Sequence, residues 1–244
     1  MSGVRGRQAA AAGPVAFHDH GNGDQWAWAA AVSVSAALRR DLELRPRARL
    51  LVSGGSTPAP VFHALSQAPL EWSRVDIALV DERWLLPGDP DSNASLVREH
   101  LLRGHAADAR FESLTRPGRS IDAAVADANL LARNPPAVVL LGMGSDGHTA
   151  SLFPHMRGLD DALSSPNPYV AVDATGCPGA GPWPLRISLA PAGLEPAATR
   201  LLLIRGRDKR DVFERAIAGE DPRELPVRIA FRTPGATLHV HWSP

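Results

Sequence analysis

The stretch Gly142-Met-Gly-Ser-Asp-Gly-His148-Thr-Ala-Ser-Leu-Phe-Pro154 follows an apolar run, Ala137 to Leu141. A histidine titrates at about 6.5 when unperturbed, so it takes and returns a proton at neutral pH. His148 stands beside Asp146 and among three glycines in a turn that presents it to a ligand, and it is the candidate catalytic residue. Gly142, Gly144 and Gly147 also satisfy the G-x-G-x-x-G spacing of dinucleotide loops. That reading fails twice. Pro154 leaves little room for the long helix that follows such a loop, and no later strand ends in an acid about 20 residues on.

Three more segments sit just past apolar runs. Ser53-Gly-Gly-Ser-Thr-Pro58 follows Arg49–Val52. Adjacent glycines allow a tight turn with exposed N–H groups, and a helix starting at Pro58 adds its positive end: a phosphate cradle, or a plain strand-to-helix turn. Asp81-Glu-Arg-Trp84 follows Val75–Val80, with Asp91-Ser-Asn93 beyond it. Two carboxylates and a guanidinium are costly to bury there unless they pair or bind something. Lys209 follows Arg200–Ile204 and is the only lysine of the chain. A compact ammonium suits a phosphate where a guanidinium is too broad. Arg186, opening Arg186-Ile-Ser-Leu189, is a second candidate cation. His239 and His241 would share one face of a strand, but no third ligand is near in sequence, so no metal site is expected.

The elements that must carry these groups alternate. The four apolar runs have the length of buried strands, and their near-continuous apolarity suits a parallel sheet covered on both faces. Between them lie helical stretches: Asp24 to Leu44, where Trp28, Val32 and Ala36 step by four, then Ser92 to Leu102, Ser120 to Arg133 and Asp208 to Ala218. Ser92 and Ser120 are candidate N-caps. The expected fold is α/β, a Rossmann-like open, mostly parallel sheet with helices on both faces, its ligands beyond the carboxyl ends of the strands.

The 244 residues balance 26 Lys+Arg against 26 Asp+Glu, which gives no field for a nucleic-acid backbone or an acidic membrane. The single cysteine, Cys177, excludes an intrachain disulfide and a cysteine-held zinc, and in a Gly/Pro-rich loop it reads as an inert thiol. No apolar stretch approaches the roughly 20 residues of a membrane span, and no signal peptide is discernible, so a cytoplasmic location is expected. Residues 1–13 read as a flexible tail and 14–244 as one α/β domain.

Taken in order, the Ser53–Pro58, Asp81–Trp84, Asp91–Asn93, Gly142–Pro154, Arg186–Leu189 and Gly206–Lys209 segments resemble the 6-phosphogluconolactonase family, from about residue 15 to the C-terminus. The resemblance implies a fold shared with glucosamine-6-phosphate deaminases. It also implies hydrolysis of 6-phospho-D-glucono-1,5-lactone, the second step of the oxidative pentose phosphate pathway, with no metal or other cofactor. By position, His148 resembles the catalytic base, with Asp146 or Asp81 left to orient it. Gly54, Gly55, Ser56, Arg83, Arg186 and Lys209 resemble the substrate and phosphate contacts. The partner implied is a small sugar-phosphate lactone, and the chain is expected as a monomer or small homo-oligomer. The chain departs from the family at His155, where a glycine is common, in the 85–90 loop, and in a tail without the usual acidic ending. In the deaminases a glutamate stands five residues past the histidine; here it is Phe153. A non-catalytic sugar-phosphate sensor is the remaining alternative, and the sequence shows no recognition element for it.

Overall fold

A computed structural model describes residues 13–244 of the chain. The expected tail falls on residues 1–12, outside the described ones, and on Gly13, whose N–H donates to the Phe231 carbonyl at 2.6 Å. The strands are β1 (Val15–Asp19), β2 (Ala48–Val52), β3 (Val75–Leu79), β4 (Asp81–Arg83), β5 (Arg110–Glu112), β6 (Val138–Gly142), β7 (Tyr169–Asp173), β8 (Leu185–Leu189), β9 (Thr199–Arg205) and β10 (Leu238–Ser243). The helices are α1 (Gly23–Leu44), α2 (Ala59–Ser66), α3 (Asn93–His100), α4 (Ile121–Leu131), α5 (Leu159–Ser164), α6 (Pro191–Leu194), α7 (Arg207–Ala218) and α8 (Ile229–Arg232).

Seven strands form one sheet in the order β1-β10-β9-β6-β2-β3-β5, every neighbouring pair parallel. The helices pack around it. All residues of β2 and β3 are buried, so their sequences show no polar–apolar alternation, and the single charge in each is paired, Arg49 with Glu112 and Asp76 with Arg47. Ser92 and Ser120 cap α3 and α4: their hydroxyls accept from the Ser95 and Ala123 amides. In α1 the helix lies where its spacing predicts, but the Trp28–Val32 stripe faces outward, with Trp28 67% exposed. The buried stripe is Trp26, Ala30, Val34 and Leu38, and the Trp26 indole N–H is satisfied by the His241 carbonyl.

Strand order reverses around β2 and β6. From β2 the chain proceeds to β3 on one side; from β6 it proceeds to β9 on the other. Loops leaving adjacent strand ends in opposite directions open a crevice at their carboxyl ends, where such sheets bind ligands. The segments that follow β2, β6 and β9 are the glycine turn, the His148 turn and the first turn of α7 with Lys209, so sheet order alone sets these candidates side by side. A second sheet, β4-β8-β7, is antiparallel. It lays Asp81–Arg83 out as a strand whose Arg83 stands opposite Arg186 and whose Asp81 stands opposite Ser188. No described helix is long and apolar enough to cross a membrane.

Candidate active site

The two sheets meet over a cavity of about 250 Å³. Its wall includes Gly54, Gly55, Ser56, Asp81, Arg83, His148, Arg186 and Lys209, so these sequence-predicted residues share one pocket. None of the Gly54, Gly55 and Ser56 amides donates to a backbone carbonyl among the described residues. The turn is held from its start, where Ser53 Oγ accepts from the Gly142 amide at 3.1 Å. Gly54 is required for space: a Cβ there would overlap the Asn93 carboxamide, which itself lines the cavity.

His148 Nδ1 lies 2.6 Å from Asp146 Oδ1, which also accepts the His148 amide at 3.1 Å. An ionised carboxylate only accepts, so Nδ1 carries the proton and Nε2 is left with its lone pair. Burial pushes the Asp146 carboxyl up, but the hydrogen bond and charge of His148 outweigh it and hold the group below its usual value. The Phe153 ring packs on the imidazole with centroids 4.4 Å apart. A side chain at Gly144 would overlap His148, so that glycine makes room for the ring.

Asp81 is engaged elsewhere. Ser151 Oγ donates to Asp81 Oδ2 at 2.6 Å, and Arg186 Nη1 lies 3.9 Å from the same oxygen. The partner that orients His148 is therefore Asp146, while Asp81 joins a buried Ser151–Arg186 network on the cavity wall. Arg186 spends Nε on the Trp183 carbonyl and Nη2 on the Ala180 carbonyl, and turns Nη1 toward Ser151 and Asp81. Burial lowers its pKa, partly offset by Asp81. Arg83 is less committed: one nitrogen donates to the Asp91 carbonyl, and Nε is buried with no acceptor. Lys209 Nζ donates to the Met143 carbonyl at 2.6 Å, which ties the lysine to the His148 loop. Burial pulls the ammonium's pKa down, opposed by Asp146.

Residues the sequence reading did not assign complete the site. Ser151 donates its hydroxyl to Asp81 and its amide to Ser188 Oγ; Asn93 donates Nδ2 to the Asp81 carbonyl. Gly179, in the Gly/Pro-rich loop that holds Cys177, lines the cavity beside His148. Asn93 belongs to the Asp91–Asn93 motif; Gly179 carried no signal, because its role is to let a distant loop close on the imidazole. Cys177, in the same loop, has its thiol pushed up by burial and by Asp146 and Asp173, which disfavours the thiolate. His239 and His241 do stand on one strand face. They are paired with His18 of β1 and His20 just past it, imidazole to imidazole at 3.1 Å each. No group of three or more His, Cys, Asp or Glu among the described residues is arranged to hold a metal.

A family profile described as glucosamine-6-phosphate isomerases/6-phosphogluconolactonase matches residues 21–242. A protein of Xylella fastidiosa (strain Temecula1) named 6-phosphogluconolactonase is 55% identical over 207 residues, 84% of this chain and 86% of that protein. One of Pseudomonas aeruginosa with the same name is 44% identical over 85% and 86%. The crystal structure of a 6-phosphogluconolactonase from Shewanella baltica superposes with a TM-score of 0.86 at 33% identity, covering 94% of this chain and 98% of that one.

Proposed function

The chain belongs to the glucosamine-6-phosphate isomerase/6-phosphogluconolactonase family, and from that premise we propose that it hydrolyses 6-phospho-D-glucono-1,5-lactone to 6-phospho-D-gluconate. The observation that carries this reading is the shared cavity: an imidazole with a free Nε2, a half-buried ammonium and two arginines line one pocket.

A lactone is already an electrophilic ester. It needs no covalent nucleophile and no redox partner. His148 Nε2 takes a proton from water as the oxygen attacks C1. Asp146 stabilises the imidazolium that forms and keeps the ring turned to the water. A positioned base contributes about 10²–10⁴-fold. Fixed N–H donors at the carbonyl oxygen add about 10²–10³ each. When the ring C–O bond breaks, the imidazolium returns the proton to the leaving hydroxyl. Lys209, Arg186 and the Gly54–Ser56 amides hold the phosphate, remote from C1, and so anchor the ring for attack. Arg83, with its unspent Nε, orients the acid end as C1 becomes a carboxylate. A place in the oxidative pentose phosphate pathway, a cytoplasmic location and a catalytic unit over residues 14–244 belong to the same reading.

The deaminase alternative requires a proton-moving group where Phe153 stands. That ring is buried against His148 with the Arg186 guanidinium over its other contacts, 5.3 Å from the centroid, and cannot carry a proton. The test is lactone hydrolysis above the spontaneous background for wild type and His148→Ala, beside ammonia release from glucosamine 6-phosphate. Loss of hydrolysis in the variant and no ammonia from wild type is expected. A variant rate near wild type, or robust ammonia release, overturns the assignment.

A further inference from the structure

Adjacent residues of a strand face opposite ways. Asp81 and Arg83 line the cavity; Glu82 between them is 0% exposed. A carboxylate in that position is costly unless donors saturate it. Three do: the Arg83 and Asn93 amides both donate to Oε1 and the Ala94 amide to Oε2, each at 2.8 Å. Asn93 and Ala94 open α3, so the side chain joins β4 to the start of that helix. From Asn93 the chain of contacts continues to the site. Its Nδ2 donates to the Asp81 carbonyl at 2.8 Å, and its Oδ1 packs against Gly54 of the glycine turn. Glu82 thus touches the backbone of two cavity residues and, through Asn93, braces a third.

A well-packed apolar residue would usually serve stability as well as a buried charged group does. What an apolar residue cannot do is fix two amides from different elements at one point. We propose that Glu82 is a positioning residue, holding Arg83 and Asn93 where they meet the sugar phosphate and so setting substrate affinity without contacting substrate. The inference rests on the lactonase reading of the pocket.

All three partners donate, so the clamp is complete only when Glu82 is ionised. Burial pushes its pKa up to about 7, against the pull of the three amides, and the neighbouring Asp81 carboxylate adds to the rise. Arg83 on the same strand and Arg186 on β8 turn to the cavity face of the ladder, away from Glu82, and the Arg186 charge still reaches it.

Steady-state hydrolysis and thermal unfolding of the full chain carrying Glu82→Gln test the proposal. The glutamine keeps one oxygen for Oε1 but sets an NH2 against the Ala94 N–H. A cooperative unfolding transition is expected to survive, with KM raised about tenfold and kcat within about threefold of wild type. A folded variant with unchanged KM, whatever its kcat, leaves Glu82 a structural residue and overturns the proposal. Wild type without hydrolysis above background overturns the functional reading, and the proposal with it. If Glu82→Gln does not fold, the wild type decides. The Arg83, Asn93 and Ala94 amide resonances are followed from roughly pH 5.5 to 8.5 alongside KM. One shared midpoint, with KM rising on its acid side, is expected. Amides that do not move, or a KM flat across their midpoint, overturn it.

Discussion

Arg83 and Arg186 occupy one register position of the β4–β8 ladder, two guanidinium groups directly opposite each other at the cavity wall. Like charges so placed repel. Asp81 relieves part of this through its 3.9 Å approach to Arg186, but Arg83 Nε still has no protein acceptor. An anionic ligand is the remaining source of compensation, and the proposed product is anionic at both ends. Arg83→Ala is therefore expected to raise KM about 10- to 100-fold, the worth of a charge-assisted hydrogen bond. The inhibition constant of 6-phosphogluconate should rise at least as much, because the carboxylate forms at the end Arg83 orients. Initial-rate kinetics with and without product check both, and an unchanged product constant would remove Arg83 from the acid end.

Lys209 is anchored to the Met143 carbonyl at 2.6 Å and is half-buried. Lys209→Ala should raise KM by about tenfold or more. Lys209→Arg should not restore it, since a planar fork cannot take the place of a point charge in that confined position. Kinetics of the two variants side by side provide the check; an arginine variant with wild-type KM would mean that only the charge matters.

Asp146→Asn keeps an oxygen facing His148 but loses the charge and lets the imidazole adopt the other tautomer. A fall in kcat of about 10²-fold or more is expected, with KM close to wild type. A kcat within a few-fold of wild type would return the orienting role to another group.

Four imidazoles, from β10, from β1 and from His20 just past β1, stack in the order His239, His18, His241, His20, with centroids 5.4, 4.7 and 5.2 Å apart. Burial first, then the neighbouring imidazoles, holds His20, His239 and His241 below their ordinary value; Arg40 adds to the effect at His239 and Asp19 opposes it at His20. His241 is lowered to about 3 and is 2% exposed, with Nε2 unpartnered. Its sign follows from linkage. Below about pH 6.5 the unfolded chain binds a proton that the folded chain refuses, so stability is full above that pH and falls as pH drops toward 3. The slope from His241 alone is of order 1.4 kcal/mol per pH unit. Glu82, pushed up to about 7, contributes with the opposite sign over the same range, so the His241 contribution is read as a difference: on going from about pH 7 to 5.5 in denaturant unfolding, wild type should lose more stability, or gain less, than His241→Gln. An identical pH response of the two proteins would contradict it.

His155 occupies a position where glycine is common in the resembled family, and its φ is +55°. A left-handed non-glycine residue costs about 1–2 kcal/mol, and glycine returns part of that as chain entropy. His155→Gly should therefore stabilise the chain by up to about 1 kcal/mol without changing kcat. Thermal unfolding checks the gain; a destabilised variant would mean the imidazole makes a contact worth more than the strain.

The sequence was most legible where a segment's own residues decide its structure. A buried strand such as β6 is apolar up to its closing glycine, Ser92 and Ser120 cap the helices they precede, and the Asp146–His148 pair lies two residues apart. It was least legible where the partner is remote. β4 is three polar residues that become a strand only beside β8, about 100 residues on. His18 and His20 meet His239 and His241 only because β1 and β10 pair in parallel. Trp28 and Val32 have helical spacing, yet nothing local says that the sheet takes the other face of α1. Phe153 and Gly179 reach His148 through turns whose closure depends on the second sheet.

A complex with 6-phosphogluconate is the most direct test. The expected result is one ligand spanning the cavity, its carboxylate within hydrogen-bond reach of His148 Nε2, about 2.6–3.2 Å, and its phosphate against Lys209. A ligand bound elsewhere, or one with its phosphate at His148, would contradict the shared-cavity mechanism.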